Sequence, residues 1–176
     1  MLYSCTSASQ EVSISQVNIE DISINSLNEL GSNPEENDII SNFGSPKNRV
    51  VVPPQPEWDD GGLQLFYENN TQFYYSKQGD EYFLENITLT SNEFNLILNS
   101  DTISIGDPLK KLGNIFKNSY EYFKKNNHEQ GISQKEEFYV TLMHNVEGDY
   151  YYTTNVTINI SNDKIESIYI SLIEGN

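Results

Sequence analysis

The chain has 176 residues, with 26 acidic side chains against 10 basic ones and a formal net charge of -16. A field of that sign repels phosphate backbones and anionic lipid headgroups, which excludes nucleic acid as a partner and favours a basic protein. Twelve Tyr and eight Phe are too many aromatics for a disordered chain, and no apolar run reaches the roughly 18 residues of a membrane span.

The charge is uneven. Residues 1–100 hold 15 acids and 3 bases (Lys47, Arg49 and Lys77), a net of -12. The rest carries the remaining -4. A basic protein approaching this chain is therefore steered toward its first half.

Residues 1–20 are rich in Ser, Thr, Gln and Asn, and predict a flexible tether that ends in a short strand. The one cysteine, Cys5, rules out an intramolecular disulfide and a Cys-based metal cluster. The run Leu2-Tyr3-Ser4-Cys5 resembles the end of a bacterial lipoprotein signal. That resemblance implies a lipid at Cys5, the single membrane contact expected of this chain. It also implies a place in the bacterial envelope or periplasm.

A first α+β unit is expected over 21–100. Asn25 to Leu30, closed by Gly31, reads as a short helix. Ser32 or Asn33 then caps a second helix. Pro34 takes its first position, Glu35 and Glu36 its first turn, and Ile39, Ile40 and Phe43 one face. Gly44 and Pro46 end it. Pro53, Pro54 and Pro56 force an extended loop, and Asp60-Gly61-Gly62 makes a turn. Alternation then predicts an antiparallel meander. Leu63, Leu65 and Tyr67 alternate, as do Phe73 and Tyr75, while Phe83, Ile87 and Leu89 share one side of the next strand and Phe94, Leu96 and Leu98 one side of the last.

The pattern restarts in a second unit over 101–176. Gly106-Asp107-Pro108 opens a helix with Leu109, Leu112 and Phe116 on its apolar face. A polar connection over 124–137 leads to three strands. The first has Phe138, Val140 and Leu142 on one face, the second Val156, Ile158 and Ile160, and the third Ile168, Ile170 and Leu172, with Asn162-Asp163 as the last turn.

Asn86-Ile87-Thr88-Leu89-Thr90 recurs as Asn155-Val156-Thr157-Ile158-Asn159. The helix opened by Pro34 recurs as the one opened by Pro108. In a rival register, Ile22-Ser23-Ile24 matches Ile103-Ser104-Ile105. Either register predicts two tandem units, each with one or two short helices on an antiparallel sheet of three or four strands. The order helix, Gly44-Ser45-Pro46, meander resembles the small envelope lipoproteins of the BamE family. Two such units in tandem resemble the β-lactamase inhibitor protein family. Both resemblances imply a non-catalytic module that binds another protein.

No motif argues for catalysis. His128 and His144 lack ligands at metal-binding spacing, and Gly61-Gly62 precedes a strand where a phosphate loop needs a helix. No enzyme activity, metal or cofactor is expected. Asp59-Asp60 reads as a turn. Asn69, Asn86, Asn155 and Asn159 open N-x-S/T triplets, which in strands serve the solvent face. The contact candidates are Trp58, Asp59 and Asp60 in the Pro-rich loop and Tyr67, Tyr74, Tyr150 and Tyr151 in strand regions. Aromatics of this kind anchor interfaces because they bring area at little rotamer cost. The expected partner is a protein, with two readings of its role. One is an envelope lipoprotein that binds other proteins. The other is an acidic soluble inhibitor or immunity protein that neutralises a basic enzyme or toxin.

Overall fold

The computed structural model describes residues 14–28, 30, 33–54, 60–98, 100–130, 136–146 and 149–172, with the backbone alone for 127–130, 144–146 and 149–154. The fold is α+β. In chain order the strands and helices are β1 (Gln16–Asn18), β2 (Ile22–Ile24), α1 (Glu36–Phe43), β3 (Asn48–Val52), β4 (Gly62–Phe66), β5 (Gln72–Gln78) and β6 (Glu81–Leu89). They continue with β7 (Leu96–Leu98), β8 (Asp101–Ile103), α2 (Leu109–Ile115), α3 (Lys117–Gln130), β9 (Glu136–Val146), β10 (Asp149–Ser161) and β11 (Lys164–Ser171).

Eight strands form one sheet in the order β1-β9-β10-β11-β6-β5-β4-β3. The meander β3 to β6 meets the meander β9 to β11 along an antiparallel seam. There Leu89 faces Ile168, Thr88 faces Tyr169, Ile87 faces Ile170 and Asn86 faces Ser171. The two halves thus share one sheet, where separate sheets were expected. The sequence repeat likens β6 to β10, but the strand that takes the place of β6 across the seam is β11. β7, expected to close the first meander, leaves it for a second sheet of order β2-β7-β8. β7 and β8 pair across the expected boundary at residue 100.

The sheet has one apolar face. Cross-strand partners point the same way, so the register aligns Leu65, Phe73, Ile87, Ile170, Val156 and Val140 in one buried row. The helices α1, α2 and α3 and the small sheet pack on this side. Phe43 of α1 stacks on Phe73 with ring centroids 5.5 Å apart. Phe123 of α3 lies 5.9 Å from Phe138, and Phe116, which follows α2, 6.1 Å. Ile22, Ile24, Leu96, Leu98 and Ile103 of the small sheet join the same core. Each fully buried Leu, Ile or Phe contributes ~1.5–3 kcal/mol over exposure.

Local chemistry explains several departures from the sequence reading. The helix expected from Asn25 does not start there, and Glu29 lies outside the described residues. Asn25 has φ 50°, and Ile24 bridges back to Leu27, giving a tight turn. The α1 helix starts at Glu36, with Glu35 and Asp38 forming its capping box, because Asn33 (φ 57°) is turned away to bond β6. Residues 117–130, half of them assigned to a polar connection, form α3. Gly113 allows α2 and α3 to approach, since a Cβ there would lie 2.9 Å from the Tyr120 ring. Phe83 was expected on the same side as Ile87 and Leu89. A bulge at Glu85 shifts the register, so Leu84 is buried and Phe83 turns to the other face.

The tether is shorter than expected. Gln16–Asn18 pairs in parallel with β9, Ile19 is buried, and Ser15 and Ser119 exchange backbone-to-hydroxyl bonds of 2.9 and 3.1 Å. From Ser15 onward the segment belongs to the sheet. Residues 1–13, Cys5 among them, lie outside the described residues.

Candidate interaction surface

Among the described residues, no helix packs on the second face of the eight-stranded sheet. At the ~4.8 Å spacing of paired strands it is about 34 Å across. One row on it runs Phe66, Gln72, Thr88, Tyr169, Thr157, Tyr139. A second runs Gln64, Tyr74, Asn86, Ser171. Strand alternation creates this surface, because every second residue of each strand is apolar and committed to the core.

The face is made of amides, hydroxyls and aromatic rings, and it is internally bonded. The Gln64 amide donates to Gln72 at 2.8 Å, and the Gln72 amide to the Thr88 hydroxyl at 3.4 Å. Across the seam the Tyr169 hydroxyl donates to the Asn86 side-chain oxygen at 2.5 Å. On the far half the Asn159 amide donates to Ser167 at 2.8 Å. Such links hold long polar side chains in one rotamer, which lowers the ordering cost of binding. Tyr169 is 38% exposed, among the more exposed large side chains of the fold.

Its phenols are shifted in one direction. The Tyr139 hydroxyl bonds the Glu137 carboxylate, and this bond, with burial, pushes its pKa up to about 12. Burial raises Tyr169 as well, with the Glu85 carboxylate adding to it. Both rings stay neutral hydrogen-bond donors far above neutral pH.

The contact candidates scatter. Tyr74 lies on the open face, its ring over Gly62, where a Cβ would meet the Tyr74 hydroxyl at 3.0 Å. The backbone of Tyr150 and Tyr151 belongs to β10, opposite Asn145 and His144, and their side chains lie outside the described residues. So do Trp58 and Asp59. Asp60 is exposed and accepts the Gly79 N–H at 3.2 Å, which ties the loop to the β5–β6 turn. Tyr67 is a correction. It is 7% exposed, donates to the Gly44 carbonyl at 2.9 Å and packs edge-on against Phe73 and Phe94. Its hydroxyl found a partner inside, so the ring was free to join the core. The open face had one sequence signal, the N-x-T triplets. Asn86 and Asn155 both point outward, each beside an inward Ile87 or Val156.

Among the described residues no group of three or more His, Cys, Asp or Glu side chains is placed to hold a metal ion, and no helix is long and apolar enough to cross a membrane. No protein-family model, characterised protein or solved structure matches this chain.

Proposed function

We propose that this chain is a non-catalytic protein-binding module that uses the open face of its eight-stranded sheet. The observation that carries the reading is the pre-bonded row of polar and aromatic side chains across the seam, on a face that no helix among the described residues covers. Aromatic rings with polar tips and adaptable amides make a contact surface that is wet at its edges and rigid at its anchors. The proposal also places the module in the bacterial envelope, held by a lipid on Cys5. That part rests on Leu2-Tyr3-Ser4-Cys5 and on the likeness to BamE-type lipoproteins.

The charge distribution favours a second reading, an acidic inhibitor or immunity protein for a basic enzyme or toxin. Both readings use the sheet face and differ in how salt acts. Steering by a net charge of -16 makes association strongly salt-dependent.

The test compares proteins captured by the chain with those captured by a Thr88→Arg/Tyr169→Arg variant of matched stability. The expected result is selective loss of specific partners, while a Lys124→Glu change on the helical side retains them. Capture of the same set by all three proteins would overturn the proposal.

A further inference from the structure

The rows that cross the open face carry no charge. One is Phe66, Gln72, Thr88, Tyr169, Thr157 and Tyr139. The next is Gln64, Tyr74, Asn86 and Ser171, continued on β10 and β9 by Asn155 and Thr141. Yet the chain holds 26 acidic side chains and a net charge of -16. Carboxylates stand at the margins of the face: Glu81 at the β5–β6 turn, Glu137 at the start of β9 and Glu166 at the bulge of β11. Glu85, at the bulge of β6, comes closer to the middle, near enough to raise the Tyr169 phenol.

Area and charge together name an occupant. The face is about 34 Å across and, over seven strand residues, about 20 Å along the strands, which gives ~700 Å². A stable interface takes ~800 Å² from each partner, so a flat neighbour of equal size would cover it whole. Two copies of this chain repel in most orientations, because each carries -16. Set face to face across the uncharged rows, they hold most of that charge at the rim or behind the sheet. The amides and hydroxyls between them are already bonded, Gln64 to Gln72, Gln72 to Thr88 and Tyr169 to Asn86. Covering them therefore leaves few polar groups without partners.

We propose that the open face is covered by the open face of a second copy, in a dimer whose twofold axis runs along the β6–β11 seam. The inference rests on the open-face reading above and names its partner. A twofold contact must match itself. This axis sets Phe66 opposite Tyr139 of the second copy, Gln72 opposite Thr157 and Thr88 opposite Tyr169, each contact made twice. Facing sheets lie ~10 Å apart and turn by about 30° on each other, so contact is closest at the seam. Tyr169, 38% exposed, is the anchor there. The two copies of Glu85 flank the axis and oppose the dimer.

The experiment is sedimentation equilibrium on the full chain. A dimer should form, and it should tighten severalfold as NaCl rises from about 0.05 to about 0.5 M, since salt screens the repulsion between copies. Thr88→Arg/Tyr169→Arg should weaken it at least tenfold with native circular dichroism retained. Lys124→Glu, on the helical side, should leave it unchanged. Glu85→Gln should tighten it severalfold, which tests the same axis with a variant that keeps the sheet intact. A chain still monomeric at about 1 mM in high salt would overturn the proposal. So would a dimer that salt dissociates, or one that Lys124→Glu weakens and the Arg pair does not. A monomer whose Arg-pair variant still loses captured proteins would strike this inference and leave the open-face reading standing. A dimer that the Arg pair breaks while the captured set stays the same would strike the capture of other proteins and leave the dimer.

Discussion

Tyr169 on β11 donates its hydroxyl to the side-chain oxygen of Asn86 on β6, 2.5 Å away across the seam of the sheet. The two residues are 83 positions apart, and this bond reinforces on the open face what the main-chain ladder does beneath it. Tyr169→Phe keeps the ring and removes the donor. It should lower stability by ~0.5–1.5 kcal/mol, the usual worth of such a bond. Urea denaturation would measure it. A midpoint unchanged from the parent would mean that water replaces the bond fully.

Alkaline pH should destabilise the fold through its buried phenols. Burial, with a smaller push from the Glu36 carboxylate, raises Tyr67 to about 12. Burial also raises Tyr75, whose hydroxyl donates to the Pro34 carbonyl at 3.1 Å. A phenol raised in the folded state holds its proton longer there than in the unfolded chain. Its stabilising contribution is whole below pH ~10, the unfolded value, and is lost as pH rises toward the folded one. Urea midpoints should therefore fall between pH 10 and 12. Tyr67→Phe should flatten part of that fall and cost stability at neutral pH by leaving the Gly44 carbonyl unpaired.

Gly113 and Tyr120 should behave as a coupled pair. A Cβ on Gly113 meets the Tyr120 ring at 2.9 Å, so Gly113→Ala should lose ~1–3 kcal/mol by overpacking despite its better helix propensity. In a Tyr120→Ala background the same change should cost little or become favourable. Additive losses in the double-mutant cycle would rule out the steric explanation.

Asn33 should tolerate Asp and not Ala. Its side-chain oxygen accepts the Leu84 N–H at 2.6 Å, and its backbone holds φ 57°. Asn33→Ala removes the acceptor and strains the backbone, for a loss of about 2 kcal/mol. Asn33→Asp keeps an acceptor and a residue that visits this conformation. Equal losses for the two variants would show that neither the bond nor the φ value matters.

Local patterns were legible in the sequence. Phe138, Val140 and Leu142 alternate inward as their period requires, and Asn162-Asp163 makes the turn with both φ values positive. The α+β class follows from such runs. Long-range decisions were not legible. Nothing in Leu96–Leu98 tells it to pair with β2 and β8 in place of β6, because strand chemistry does not name a partner. The bulge at Glu85 reverses Phe83 without a Gly or Pro to announce it. The helix α3 was half hidden by Lys and Asn, although Phe116, Tyr120 and Phe123 keep helical spacing. The candidate surface was least visible. Its residues are the outward half of each alternation, and only the sheet order shows that they form one face. Tyr67 and Tyr74 look alike in sequence and end on opposite sides.

The seam has a kinetic consequence. The hairpins β4–β5, β5–β6, β9–β10 and β10–β11 close over short loops, whereas β6 and β11 meet across about eighty residues. Contacts so distant in sequence are the slow ones to form. Each half can zip early, and the joining of β6 to β11 should come late. The row that runs through Thr88 and Tyr169 exists only once they have joined. A partner that grips the whole row would therefore ignore nascent or half-opened chains and select those whose assembly is finished.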